Sequence, residues 1–278
     1  MNLHPFDKAV QLQAAPGNEP GFWEGSTSED YWNMVGPFGG TTAAVALHAV
    51  LRHPDLLGEP VALTVNYAAP MNKGSFTVTA TPARTSRSTQ HWTFALSQID
   101  NKTGKSAVVI TGTAMTAVKR NTWEASDMPM PQVLGPNGLN HAHFPIPMPW
   151  LLRYDMRFTA GAVPQNWDAS HADSSLSQLW IRDEPPRPLD FASLAAMSDM
   201  FYPRIWLRRA TPVPAGTVSM TVYFHASQSQ LNECGDGYLL GQAQAQGYRH
   251  GFFDHSGHLW SAGGLLLATT HQLVYYKE

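Results

Sequence analysis

Residues 63–67 read Leu63-Thr64-Val65-Asn66-Tyr67, and residues 220–224 read Met220-Thr221-Val222-Tyr223-Phe224. Each pentad follows an Ala-rich stretch with helical spacing and precedes a run of alternating strands. The chain reads as one structural plan stated twice, and an internal repeat of this kind decides the fold before any single motif does. The two copies differ in chemistry. The helical stretch of the first, Gly39 to Arg52, holds no carboxylate, whereas the matching stretch of the second carries Asp199. Gln272 lies eight residues after Gly264, and the position eight residues after Gly104 in the first copy is Gly112. Acid and amide in one half only imply one working site per chain.

In the first copy, residues 6–33 read as an initial strand region, and Gly36-Pro37-Phe38-Gly39-Gly40 as a turn. Ala43, Ala44, Leu47, Val50 and Leu51 then predict a helix over 40–53. His53-Pro54 stops it, since proline removes a donor and clashes with the preceding turn. Strands are expected at 61–69, 75–83, 88–100 and 105–118, with a hairpin turn at Asn101-Lys102-Thr103-Gly104. Residues 121–149 carry Pro129, Pro131, Pro136, Pro145, Pro147 and Pro149 and little periodicity, which favours extended backbone.

The second copy begins near Trp150, with strands expected at 151–159, 217–226, 237–249, 250–260 and 264–276. A helix is expected over 189–203, and Ser261-Ala262-Gly263-Gly264 supplies the last turn. The division is therefore 1–120, a linker at 121–149, and 150–278. One helix against a twisted antiparallel sheet leaves a side needing a partner, and a second copy supplies it. The expected class is α+β: a double hotdog, two helix-on-sheet repeats sharing a continuous sheet.

Bulk properties bound the rest. The 278 residues are 43% hydrophobic and 14% charged, which excludes a disordered polyelectrolyte. A formal charge of −3 gives no basic field for nucleic acid. The single cysteine, Cys234, forms no internal disulfide and reads as a solvent-side loop thiol. The first residues lack a basic region followed by an apolar core, and no apolar run approaches the roughly 18 residues a spanning helix needs. A cytoplasmic protein with no membrane partner is expected, with self-association left open.

Gly36-Pro37-Phe38-Gly39-Gly40-Thr41-Thr42-Ala43-Ala44 resembles the Gly-Gly helix start of acyl-CoA thioesterase II and related double-hotdog thioesterases. Ser198-Asp199 is similar to the Ser-Asp on that family's second helix, and Thr217 to the Thr on its following strand. Gly264 to Gln272 resembles the family's Gly-hydrophobic-Ala-Ser/Thr-Thr-x-Gln ending. The resemblance implies a water-activating triad of Asp199, Thr217 and Gln272 acting on an acyl-CoA. Ser219 and Thr221 are expected on the same strand face as Thr217 and compete for the hydroxyl role.

Asp199 falls in step with Phe191, Ala195 and Tyr202, on the apolar face of the expected helix, where a carboxylate is costly unless it is used. Backbone N–H groups at Gly39 and Gly40 begin a helix, are unpaired there, and suit an oxyanion. His250, Asp254, His255 and His258 sit in or beside a hairpin and read as structural, with no helical His-Glu-x-x-His and no cysteine pair to mark a metal site. His141 and His143 are expected to be exposed. No nucleophile elbow, Walker loop or dinucleotide fingerprint occurs.

The expected reaction is hydrolysis of an acyl-CoA to free acid and coenzyme A, without metal or organic cofactor. The alternatives are a non-catalytic acyl-CoA-binding protein and a hotdog enoyl-CoA hydratase or dehydratase. Resemblance to the hotdog hydratases would imply a His five positions after the Asp, where this chain has Arg204.

Overall fold

The computed structural model describes residues 3–15, 17 and 19–278. The first half holds a short helix α1 (Pro5–Ala9), strands β1 (Gln13–Ala14) and β2 (Phe22–Ser26), and helix α2 (Gly39–Leu51). Strands β3 (Glu59–Tyr67), β4 (Ser75–Thr85), β5 (Thr89–Ile99) and β6 (Ser106–Ala117) follow. The second half runs β7 (Tyr154–Ala160), β8 (Ser177–Asp183), α3 (Phe191–Met197), α4 (Arg204–Arg209), β9 (Ala215–Phe224) and α5 (Gln228–Cys234). It closes with β10 (Leu239–Gln244), β11 (Tyr248–Arg249), β12 (Phe252–Ser261) and β13 (Leu266–Tyr276).

All strands join one 13-stranded sheet in the order β1-β2-β4-β5-β6-β3-β9-β13-β12-β10-β8-β7, with β11 on β12. The two halves have the same internal order: the strand before the helix, then the second, third, fourth and first strands after it. They meet where β3 pairs antiparallel with β9, and Thr64 lies directly opposite Thr221. The repeated pentads are thus the seam of the molecule, closed by a hydroxyl pair at 3.0 Å.

The sheet wraps the two helices, which is the double hotdog expected above. It explains why α2 carries no Asp, Glu, Lys or Arg: Gly40 to Leu47 are buried on every side of the helix. A helix apolar all round is one enclosed all round. The strands alternate, as a sheet with one face on the core must; β5 buries every second residue from Gln90 to Gln98.

Several expectations are corrected. Residues 6–33 are no strand region. Pro5 opens α1, whose first turn is capped by the His4 side chain accepting from Phe6 N–H, and only two short strands follow; Pro16 and Asn18 lie outside the described residues. Residues 149–153 are a 3₁₀ turn before β7. The second helix ends at Met197 rather than 203, because the backbone tightens there: Asp199 N–H donates to Ala196 O at 3.1 Å and Met200 N–H to Met197 O at 3.2 Å, three residues back rather than four. The expected strand 237–249 breaks between β10 and β11, and β8 and α5 were not foreseen. Cys234 ends α5, half-buried, with Sγ on Gln230 O at 3.2 Å, so it is no solvent-side loop thiol.

Segment 121–149 contains no strand, yet it is tied down. Trp260 Nε1 donates to Met128 O at 3.2 Å and Trp180 Nε1 to Leu134 O at 2.7 Å. It covers a hydrophobic cluster of Trp180, Leu240 and Trp260, and its end forms part of a cavity wall. No helix among the described residues is long and apolar enough to cross a membrane.

Candidate active site

The C-terminus of α3 and the N-terminus of α2 meet head to side. A side chain at Gly40 would bring its Cβ within 2.3 Å of Ala196 O, so only glycine allows this approach. The unpaired amides at the start of α2 therefore face the turn that follows α3, and Asp199 stands in that turn. The Gly40 N–H faces the Asp199 carboxylate and favours its charged form. Asp199 Oδ2 lies under Gly39, where a Cβ would come within 2.7 Å of it.

The other carboxylate oxygen belongs to Gln272. Its Nε2 donates to Asp199 Oδ1 at 2.9 Å, with Ser198 O at 3.3 Å. The second bond satisfies a carbonyl that the early end of α3 leaves open. Thr217 Oγ1 donates to Gln272 Oε1 at 3.1 Å. The ionised carboxylate only accepts and so draws Nε2 toward it, leaving Oε1 to accept from the Thr217 hydroxyl, which can serve either role.

A β-bulge builds the link. Opposite β13, Ser219 pairs with Leu273 and Thr217 with Val274, leaving Val218 without a partner. The extra residue reverses the alternation. Thr217 turns inward onto Gln272, while Ser219 and Thr221 stay on the outer face, bonded to Asn66 and Thr64. The expectation that all three share a face is thereby corrected.

Burial dominates the electrostatics. It raises the Asp199 pKa to about 7, against the lowering effects of Gln272 and the Gly40 N–H. The residue is only half-buried, because one edge borders a cavity of about 530 Å³ that opens to the surface. Asp199, Thr217, Gln272 and Gly39 line this cavity, and Gly40 does not. Its remaining walls are mainly aromatic and aliphatic, including Phe144, Ile146, Trp150, Phe201 and Trp206. A carboxylate titrating near neutrality, held by an amide and open to an apolar cavity, can take a proton from water and deliver that water to an electrophile.

Two lining residues were missed. The Tyr67 hydroxyl donates to Gly39 O at 2.8 Å and so holds the start of α2. Its signal was the hydroxyl itself, where the second pentad ends in Phe224. His255 was grouped with three hairpin residues. Alternation separates it from them, with Asp254 on the outer face beside His271 at 3.1 Å and His255 inside. Asp254 also accepts from Gly247 N at 3.0 Å, so the structural reading suits it. Among the described residues, no group of three or more His, Cys, Asp or Glu is placed to hold a metal ion. His141 and His143 are exposed, although His141 Nδ1 pairs with Asp155 at 2.9 Å.

A family model described as the acyl-CoA thioesterase N-terminal domain matches residues 28–117, and one described as the acyl-CoA thioesterase C-terminal domain matches residues 124–276. A conserved hotdog-fold protein of unknown function from Alicyclobacillus acidocaldarius is 42% identical, over 100% of this chain and 99% of its own, with a TM-score of 0.91. A candidate thioesterase II from Thermobifida fusca is 19% identical over 100% and 99%, with a TM-score of 0.80. An acyl-CoA thioesterase II from Mycobacterium marinum is 17% identical over 98% and 98%, with a TM-score of 0.73. At those identities the last two show the fold alone. No curated protein matches the chain.

Proposed function

We propose thioester hydrolysis for this chain, which belongs to the hotdog-fold acyl-CoA thioesterase-like superfamily. The substrate is an acyl-CoA and the products are the free acid and coenzyme A. The observation that carries the reading is the chain of bonds from Thr217 through Gln272 to Asp199, ending on a carboxylate with a pKa of about 7.

In this mechanism Asp199 removes a proton from a water in the cavity, and the resulting hydroxide attacks the thioester carbonyl. Gln272 and Thr217 keep the carboxylate in place. The Gly39 N–H, at a helix start and on the cavity wall, stabilises the oxyanion; such preorganised donors are often the largest electrostatic contribution to acyl transfer. The Gly40 N–H faces the carboxylate itself. Collapse expels the coenzyme A thiolate, a good leaving group, and Asp199 returns its proton as the products separate. The segments 1–120 and 150–278 act as the two repeats, with 121–149 walling the cavity between them.

A hydratase reading is disfavoured by Arg204. It stands five residues after Asp199 but is buried, bonded to Tyr202 O and Ser177 Oγ, and off the cavity wall. A binding protein without turnover needs the cavity but not the 2.9 Å contact between Gln272 and Asp199. The test is release of free coenzyme A across short, medium, long and aromatic acyl-CoAs. Turnover of at least one supports hydrolysis; binding without turnover by well-folded protein assigns the chain to the binding class.

A further inference from the structure

The strands β9, β13 and β12 lie side by side, and on their inner face three polar side chains stand in a row: Thr217, Gln272 and His255. His255 is directly opposite Gln272 in register. Opposed residues on an antiparallel pair hold their Cβ atoms roughly 4.5–5.5 Å apart, so the imidazole is an immediate neighbour of the amide. The first two members of the row are bonded to one another and to Asp199. His255 is not: among the described residues neither Nδ1 nor Nε2 has a hydrogen-bond partner.

His255 is only 1% exposed, yet it lines the cavity, so it sits at the bottom rather than the mouth. Phe201 packs edge-on to it, with ring centroids 6.0 Å apart. Orphaned buried polar atoms are rare in folded proteins and call for an explanation. A position used only for packing would be served by Phe or Leu, as Phe253 and Leu259 on the same face of β12 are.

Resting on the thioesterase reading above, we propose that His255 is a specificity residue. It would hydrogen-bond an uncharged oxygen on the acyl group of the substrate, close to the thioester carbonyl and best on the β carbon. The chemistry narrows the class. Burial and the nearby Arg204 hold the imidazole neutral, with its pKa well below the ordinary histidine value. A neutral ring offers one donor and one acceptor, which a hydroxyl matches on either side and a keto oxygen on one. A carboxylated acyl group is excluded, since neutral His255 supplies no charge to offset it and the ionised Asp199 stands near. The reach is short because His255 adjoins the residue that holds the catalytic carboxylate.

The test compares butyryl-CoA, 3-hydroxybutyryl-CoA and succinyl-CoA on wild type, His255→Phe and His255→Gln, with thermal melts to check folding. Wild type is expected to favour the hydroxylated substrate over butyryl-CoA by about tenfold in kcat/KM, the scale of one buried hydrogen bond. His255→Phe should bring that ratio to about one, and His255→Gln should keep part of it. A ratio near one in wild type, a ratio unchanged in His255→Phe, or a preference for succinyl-CoA overturns the proposal while leaving hydrolysis standing. If none of the three turns over, hydrolysis is judged on the wider acyl-CoA panel above, and calorimetric binding of these three compounds decides the role of His255: a tenfold preference lost in His255→Phe supports it, and equal binding ends it.

Discussion

Thr217 and Ser219, two positions apart on β9, face opposite sides of the sheet. Thr217 Oγ1 lies 3.1 Å from Gln272 Oε1 on the inside, and Ser219 Oγ lies 3.0 Å from Asn66 Oδ1 on the outside. The unpaired Val218 between them is the cause, because one inserted residue reverses a period of two.

The bulge yields the first prediction. Thr217→Val keeps the shape of the side chain and removes only the hydroxyl, so it should lower kcat/KM by about tenfold, the worth of one buried hydrogen bond. Ser219→Ala, on the outer face, should stay near wild type. Equal losses in the two variants would mean that the bulge does not select the partner.

Asp199→Asn should fold normally and lose hydrolysis by on the order of 10²–10⁴, the usual contribution of a positioned general base. Asp254→Asn is the control. Asp254 holds the connection before β11 through Gly247 N–H and pairs with His271 outside the cavity, so its loss should spare activity. Free coenzyme A release reads both.

Activity should rise with pH through about 7, since Asp199 acts only when ionised and burial lifts its pKa to that value. Gln272 donates to the carboxylate and favours its charged form. Gln272→Leu should therefore move the midpoint of the pH–kcat/KM profile upward while lowering its plateau. A downward move would contradict the assigned direction of that bond.

Stability should respond to the same group with the opposite slope. The folded pKa of Asp199 is raised to about 7 from an ordinary 3.8, so its stabilising effect is complete below 3.8 and is lost as pH rises through 7. Asn at 199 does not titrate. The Tm of Asp199→Asn relative to wild type should thus climb between about pH 4 and 7 and then level. Asp183, also raised to about 7, contributes equally to both proteins and cancels. A flat Tm difference across that window would show that the acid is not desolvated.

The glycine pair should separate function from folding. Gly39→Ala sets a methyl 2.7 Å from Asp199 Oδ2, displacing the carboxylate, and should cut turnover more than it cuts stability. Gly40→Ala meets the rigid Ala196 carbonyl at 2.3 Å and should cost about 1–3 kcal/mol in urea unfolding. The reverse pattern would dissociate Gly39 from the site.

The architecture was legible in the chain because it rests on local signals repeated twice. Alternation in β5, the apolar run of α2 and the two pentads each follow from nearest-neighbour patterns, and the pentads turned out to be the seam, Thr64 against Thr221. Asp199 and Gln272 could be singled out because the first copy lacks them. Tertiary structure alone decided the rest. The bulge at Val218 depends on pairing with β13, so no pattern within β9 reveals which hydroxyl turns inward. The Ser198 carbonyl, left open where α3 ends, is satisfied by Gln272, 74 positions later in the chain. His255 resembles its polar hairpin neighbours in sequence, and only the pleat of β12, packed against Phe201, places it at the bottom of the cavity. Periodicity is set by local backbone geometry, whereas register, burial and the partner of each polar atom are set by segments far apart in the chain.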